Sequence, residues 1–249
     1  MRRAGAMVSS AMLVPHTWCI GEAKLKVAGI GGVATHPRWR GQGLMKEVLD
    51  NQLDRLDKEG FVLAFLGGQR QRYNYFGFES CGNGVRLDFS RATARHKAPT
   101  RPLTFRPLLA GDTVALKMAV ALHGRQVSRN ARPTDPVAFL PFLQTWRNRP
   151  YVVCDGQGAP VGVVVVSGGP QDAKAKMTEL LVESPAVASD AVRAWIDQHE
   201  ALQELTVLLP PTEVALVREL SYWAEHFALA EPDATRMYRV VQWEPVLDA

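Results

Sequence analysis

GGVATHPRWRGQGLMKEVLD, residues 31–50, is the stretch that decides how the chain reads. Ahead of and within it, Val27, Ile30 and Val33 are the β-branched residues of a strand. Pro37 cannot continue a central strand, so the strand is expected to end near Thr35 and His36. After Arg38-Trp39-Arg40-Gly41-Gln42-Gly43, the residues Leu44, Val48, Leu49, Leu53 and Leu56 recur at helical spacing. The order is strand, glycine-containing turn, helix. Such a turn has a chemistry of its own. The first N–H groups of a helix have no partner inside it, and the helix dipole is positive there. Gly41 and Gly43 present no Cβ, and Arg38 and Arg40 add charge, so the turn is expected to cradle a phosphate or pyrophosphate. A basic, glycine-capped loop standing in solvent would carry the same residues.

Outward from this turn, residues 61–66, FVLAFL, read as a second buried strand, and residues 73–79, YNYFGFE, follow it. The chain has no Gly-Lys-Ser/Thr for a P-loop and no second βαβ unit with an acidic ribose binder for a dinucleotide fold.

The turn, the second strand and Tyr73-x-x-Phe76-Gly77-Phe78-Glu79 together resemble the GNAT superfamily of acyl-CoA-dependent N-acetyltransferases. Arg38, Gly41 and Gly43 match the family's pyrophosphate signature, Gln/Arg-x-x-Gly-x-Gly/Ala. The resemblance implies that Arg38, Arg40, Gly41, Gln42 and Gly43 hold the pyrophosphate of acetyl-CoA, used as co-substrate. It implies that Val33 and Thr35 offer backbone contacts to the thioester arm, in a gap where their strand splays from its neighbour. It implies that Tyr73, and not Tyr75, protonates the departing thiolate. A phenol with an unperturbed pKa of ~10 stays protonated at neutral pH and suits that role. For the general base the sequence offers His16, Glu22, His36 and Glu79 and does not choose among them.

Composition sets outer bounds. The 249 residues are 47% hydrophobic, ample for one large or two small domains. A net charge of +4 is too small and too scattered to argue for nucleic acid. Cys19, Cys81 and Cys154 form no Cys-x-x-Cys and no metal-ligand cluster with the six histidines, so no metal and reduced thiols in the cytoplasm are expected. Residues 1–15 are broken by Ser9, Ser10 and Pro15 and run into a strand pattern, unlike a signal peptide. No apolar run approaches the ~20 residues of a membrane span.

The early strands are expected at residues 6–14, extended by 18–20, and at 23–35. A usual GNAT domain places a strand and two helices before this hairpin, and here only residues 1–30 precede the glycine strand. The first domain is therefore expected to lack those elements. The sheet edge and apolar surface left open would invite a homo-oligomeric partner. Residues 90–102, SRATARHKAPTRP, read as a polar linker. The rest is expected to run strand, helix 111–124, helix 135–146, hairpin 151–155/160–167, strand 176–183, helix 186–201, strand 205–209, helix 213–227 and closing strand 235–243. That order repeats the GNAT order, but its turn, Glu183-Ser184-Pro185-Ala186-Val187-Ala188, has neither glycine nor arginine.

The expected fold class is therefore α/β with mixed sheets, in two tandem GNAT-like domains. Residues 1–90 would be a partial acetyltransferase domain, 91–102 a linker and 103–249 a degenerate copy. Tandem domains of this kind resemble the enhanced-intracellular-survival family, without its sterol-carrier-like domain. The implied function is transfer of acetyl from acetyl-CoA to a primary amine, on a small molecule or a peptide, by direct attack. A non-catalytic acyl-CoA-binding or scaffolding protein with an incomplete acceptor pocket is the alternative.

Overall fold

The computed structural model describes residues 1–3, 5–82, 84–169, 171–230 and 236–248. β1 (Arg2–Arg3) and β2 (Ala6–Met7) form a small ribbon. β3 (Ser9–Ile20) and β4 (Ala23–Thr35) pair antiparallel along almost their whole length. β3 is one continuous strand through Pro15. Among the described residues its far side meets Ser128–Asn130 at Trp18, Cys19 and Ile20 and accepts from the Ala131 N–H at Thr17, so Pro15 sits beyond that pairing, where the strand is an edge and proline is tolerated. α1 (Leu44–Lys58) follows the turn, and β5 (Leu63–Gly67) returns parallel to β4. α2 (Arg70–Tyr73), β6 (Glu79–Ser80), β7 (Gly84–Ser90) and α3 (Arg91–His96) come next.

The remaining elements are β8 (Thr104–Pro107), α4 (Thr113–Gly124), β9 (Ser128–Asn130), α5 (Pro136–Leu143), β10 (Arg149–Cys154) and β11 (Pro160–Ser167). They continue with β12 (Lys174–Val182), α6 (Pro185–Gln198), β13 (Glu204–Leu209), α7 (Val214–Ser221), β14 (His226–Ala230), β15 (Arg236–Val240) and α8 (Glu244–Leu247).

The strands build two mixed sheets. One is six-stranded, in the order β6-β15-β5-β4-β3-β9. The other is seven-stranded, in the order β14-β7-β13-β12-β11-β10-β8. In the first, α1 buries Leu44, Val48, Leu49 and Leu56. Leu49 and Leu56 share a core with Ala28 and Ile30 of β4 and Ala64 and Leu66 of β5. Each fully buried leucine contributes roughly 1.5–3 kcal/mol, so this seam anchors the helix whose first turn carries the glycines. In the second, α6 buries Val187, Ala191, Val192 and Ile196 in a core shared with Val164, Val166 and Val207.

The linear division into residues 1–90 and 103–249 requires correction. One compact unit comprises Met1–Gly82, Ser128–Ala131 and the C-terminal residues from β15 onward; β7 through α4 and the chain from Arg132 through β14 form the other. β7 pairs with β13 and β14 in the seven-stranded sheet, where Val85, Leu87 and Phe89 are buried. β15 pairs with β5 and β6 in the six-stranded sheet, where Met237 is buried. Alternating apolar residues fix which face of a strand is buried but not which strand lies beside it.

The linker is also corrected. Arg91–His96 is a helix opened by a capping box, Ser90 Oγ accepting from the Thr93 N–H and Thr93 Oγ1 from the Ser90 N–H. Thr100 donates both its N–H, at 3.0 Å, and its hydroxyl to the buried carboxylate of Asp190. The helix expected over 213–227 stops at Ser221, because His226–Ala230 joins β7 as a strand. Thr235, where the closing strand was expected to begin, lies outside the described residues, as does Ala249.

The strand–helix–strand order does recur. β12 and β13 flank α6 and pair in parallel, as β4 and β5 flank α1. At the start of α6, however, Ser184 caps the helix with its own side chain, accepting from the Val187 N–H, and Pro185 removes a donor. That helix start keeps few free N–H groups for an anion.

Candidate active site

The parallel register of β4 and β5 runs from Val27 opposite Leu63 to Ile30 opposite Leu66 and then stops. β4 continues to Thr35, paired only with β3, so beyond Ile30 the two parallel strands have parted. His36 donates its N–H to the Val8 carbonyl at 2.9 Å, and the Ala34 carbonyl accepts from Ser9 Oγ at 3.1 Å. Backbone directions alternate along a strand, so Val33 and Thr35 turn their peptide groups to the vacated side. The Thr35 carbonyl there accepts from Arg40 Nε at 3.4 Å.

The turn after β4 is a single 3-10 turn, Pro37–Trp39, capped by His36, whose Nδ1 accepts from the Arg38 N–H at 3.3 Å. Gly41 and Gly43 then take φ of +75° and +74°, a left-handed backbone that glycine adopts without the Cβ penalty. Gly43 starts α1 with no side-chain cap, and the first helical bond runs from the Glu47 N–H to the Gly43 carbonyl at 3.1 Å. The N–H groups of Leu44, Met45 and Lys46 therefore leave the helix end without helical partners.

Tyr73 ends α2 and is 8% exposed. Its ring lies against the bare backbone of Gly68. The short helix is held from both ends. Glu79 accepts from Arg70 Nε and Nη2 at 2.7 and 2.6 Å and from Asn74 Nδ2 at 2.7 Å. Arg239 Nη1 donates to the Phe76 carbonyl at 2.5 Å. Burial pushes the Tyr73 phenol above its ordinary range, and the Arg72 guanidinium pulls it part of the way back. Glu79 is held below the usual carboxylate range by its hydrogen bonds from Arg70 and Asn74.

These pieces meet in one cavity of about 490 Å³, lined by Val33, Thr35, Arg40, Gly41, Gly43 and Tyr73. It thus unites six of the eight residues singled out in the sequence. Arg38 and Gln42 share the turn but do not line the cavity, and Gln42 Oε1 accepts from Arg3 Nη1 at 3.4 Å. Trp39, Met45 and Arg72 also line it and were not named as site residues, although the family resemblance sets residues 67–72 beside the pantetheine arm. The other signal for Arg72 was its place directly before Tyr73. Among the described residues that line the cavity there are two arginines and no carboxylate, an arrangement suited to an anionic ligand.

Of the four base candidates, Glu79 and His36 are committed to the contacts above. His16 lies on β3 beside Phe65, with ring centroids 5.3 Å apart, and Glu22 is exposed in the β3–β4 turn. Among the described residues no group of three His, Cys, Asp or Glu could hold a metal ion, and no helix is long and apolar enough to cross a membrane.

The strand parting, the glycine turn and the tyrosine helix are the architecture of a GNAT-type fold. Residues 1–81 match the family model described as an acetyltransferase (GNAT) domain. Solved structures extend the likeness over the whole chain. A GCN5-related N-acetyltransferase from Anabaena variabilis is 15% identical, with a TM-score of 0.69, covering 99% of this chain and 63% of that one. One from Kribbella flavida is 20% identical, with a TM-score of 0.66, covering 98% and 60%. Eis1 from Mycobacterium abscessus is 16% identical, with a TM-score of 0.64, covering 100% and 65%. At these identities the likeness is one of fold, and the chain spans about three-fifths of the length of the structures it matches. No curated protein matches the chain.

Proposed function

We propose that the chain is an N-acetyltransferase that moves an acetyl group from acetyl-CoA to a primary amine by direct attack. The single observation that carries this reading is the cavity joining Gly41, Gly43 and Arg40 to Tyr73. The site fits the co-substrate. Left-handed glycines and free N–H groups at the start of α1 match a pyrophosphate, and the parted strand edge matches the amide-bearing arm.

In this reading Arg40, Gly41 and Gly43 hold the pyrophosphate, while Arg38 and Gln42 contribute charge and backbone from the same turn. Val33 and Thr35 align the thioester arm. Arg40 occupies the Thr35 carbonyl, which leaves the Thr35 N–H and both groups of Val33 for that task. Tyr73, kept protonated by its burial, gives its proton to the sulfur as the C–S bond breaks. We read the second unit as a degenerate copy of the first, in a tandem arrangement of the enhanced-intracellular-survival type. We place the protein in the cytoplasm, with a small-molecule or peptide amine as acceptor. The test is acetyl-CoA-dependent release of free CoA with a panel of amines, in the intact chain and in Tyr73→Phe. Release that needs both an amine and Tyr73 supports the reading, and equal release by the two proteins refutes it.

A further inference from the structure

The face of the six-stranded sheet opposite α1 carries a patch of rings. Trp18 stacks on Phe65 at 5.6 Å, and Tyr238 meets Trp18 edge-on at 5.8 Å. His16 joins through Phe65. His16 stands directly across from Val27, and Val27 and Leu25 pack with Trp18, Leu63 and Phe65 on this face. The α1 face instead holds Ala28, Ile30, Ala64 and Leu66.

The place of the patch along the strands matters. A Cβ on Gly29 would lie 3.3 Å from His16 Nε2 and 3.1 Å from Phe65 Cζ. The pairing of β4 with β5 ends at Ile30 and Leu66. His16 therefore stands three residues short of the last paired position, roughly 10 Å along the strand, with its Nε2 reaching forward to the level of Gly29. Half-buried, it makes no hydrogen bond with either ring nitrogen among the described residues. An amine attacking a thioester held between the parted strands, with α1 and its cavity on one face, has this second face from which to approach.

We propose that His16 is the proton acceptor for the incoming amine, and that the acceptor is a single amine borne on an aromatic or apolar body. The inference rests on the acetyltransferase reading above. His16 takes one proton from the R–NH3⁺ group. The freed amine forms the C–N bond while the C–S bond breaks, and Tyr73 supplies the proton to sulfur. The second proton of the nitrogen leaves to water, and Tyr73 and His16 return to their starting states by exchange with water. The sum is one acyl group moved from sulfur to nitrogen and one proton released.

Burial holds His16 below its ordinary range, so at neutral pH it is uncharged and has a free lone pair to accept a proton. The charged and titratable groups on the elements packed around it are Lys24 and Lys26 of β4, Arg129 of β9, Arg236, Tyr238 and Arg239 of β15, and Glu244 of α8, with Arg239 turned to the Phe76 carbonyl. Lys26 donates to the Glu59 carbonyl and lies over the Phe61 ring. Arg236 shares a face with Tyr238, two residues on. Four rings with the Arg236 cation on the same face suit an amine borne on an aromatic body and disfavour a polycation.

The test uses the full chain, acetyl-CoA, and two probes, 2-phenylethylamine and spermidine. Acetyl-CoA binding is measured by calorimetry beside turnover. The expected result is at least tenfold higher kcat/KM for 2-phenylethylamine than for spermidine. His16→Ala and the polar His16→Gln should each lose about 10²-fold at pH 7 with unchanged acetyl-CoA affinity. That deficit should shrink as rising pH deprotonates the amine in solution. A loss independent of pH, no loss, or equal service of spermidine overturns the inference while leaving the acetyltransferase reading in place. Absence of acetyl-CoA binding in the unmutated chain overturns both.

Discussion

A Cβ placed on Gly68 would lie 2.5 Å from Cε2 of Tyr73. The tyrosine is therefore seated against bare backbone, one residue past the end of β5. Ring atoms cannot approach a real side chain that closely, so Gly68→Ala must move the ring or the strand end. The substitution should lower turnover at least tenfold and cost about 1–3 kcal/mol of stability through overpacking, with acetyl-CoA affinity little changed. Steady-state kinetics beside thermal unfolding separates the two effects.

Gly43 is constrained by conformation rather than by space. No atom outside its chain neighbours lies within 4 Å of its would-be Cβ, but its φ of +74° is left-handed. Gly43→Ala should destabilise the chain by about 1–2 kcal/mol. It should also weaken acetyl-CoA binding, because relieving the strain re-aims the first N–H groups of α1. Chemical denaturation and calorimetric titration read the two consequences.

Tyr73 carries a pH prediction. Its phenol is raised by burial, with Arg72 opposing, so it should stay protonated past the ordinary ~10. The high-pH limb of kcat should therefore lie above that value. Stability linkage has the same origin and a definite sign. The folded state holds the proton more tightly than the unfolded one, so this group leaves stability unchanged below the unfolded pKa and lowers it as pH rises beyond. Tyr73→Phe should cost on the order of 10²–10⁴-fold in turnover and remove the dependence. A pH-rate profile of both proteins decides.

Glu79 should prove structural. Its exposed carboxylate is engaged by Arg70 and Asn74 and is held low by them. Glu79→Gln should leave turnover within a few-fold of the parent and shift only the melting of the α2 region, an effect that weakens at high salt. A hundredfold loss of turnover without unfolding would instead make Glu79 the proton acceptor.

The turn was legible where residue type reports backbone geometry directly. Gly41 and Gly43 had to be glycine for their left-handed φ, and Pro37 had to end β4, so the turn could be read from seven letters. Tyr73 was singled out by the family resemblance of Tyr73-x-x-Phe76-Gly77-Phe78-Glu79 and not by geometry; the geometric signal in that stretch is Gly77, which closes the turn at φ +76°. Gly68 and Arg72 were not singled out individually because their importance lies in what they touch, which spacing does not encode. The exchange of β7 and β15 between sheets escaped for a related reason. Val85, Leu87 and Phe89 suit any half-buried strand equally well. In residues 90–102 the polar composition hid a real signal, Ser90-x-x-Thr93, which caps a helix.

The central claim is that backbone amides beside Gly41 and Gly43 grip a diphosphate. Its most direct test is calorimetric titration of the intact chain with acetyl-CoA and, separately, with S-acetylpantetheine, which has the thioester arm but no pyrophosphate. Acetyl-CoA should bind saturably, the truncated compound should bind at least 10²-fold more weakly, and Gly43→Ala should lose that difference. Equal affinities for the two compounds, or no binding of acetyl-CoA, would contradict it.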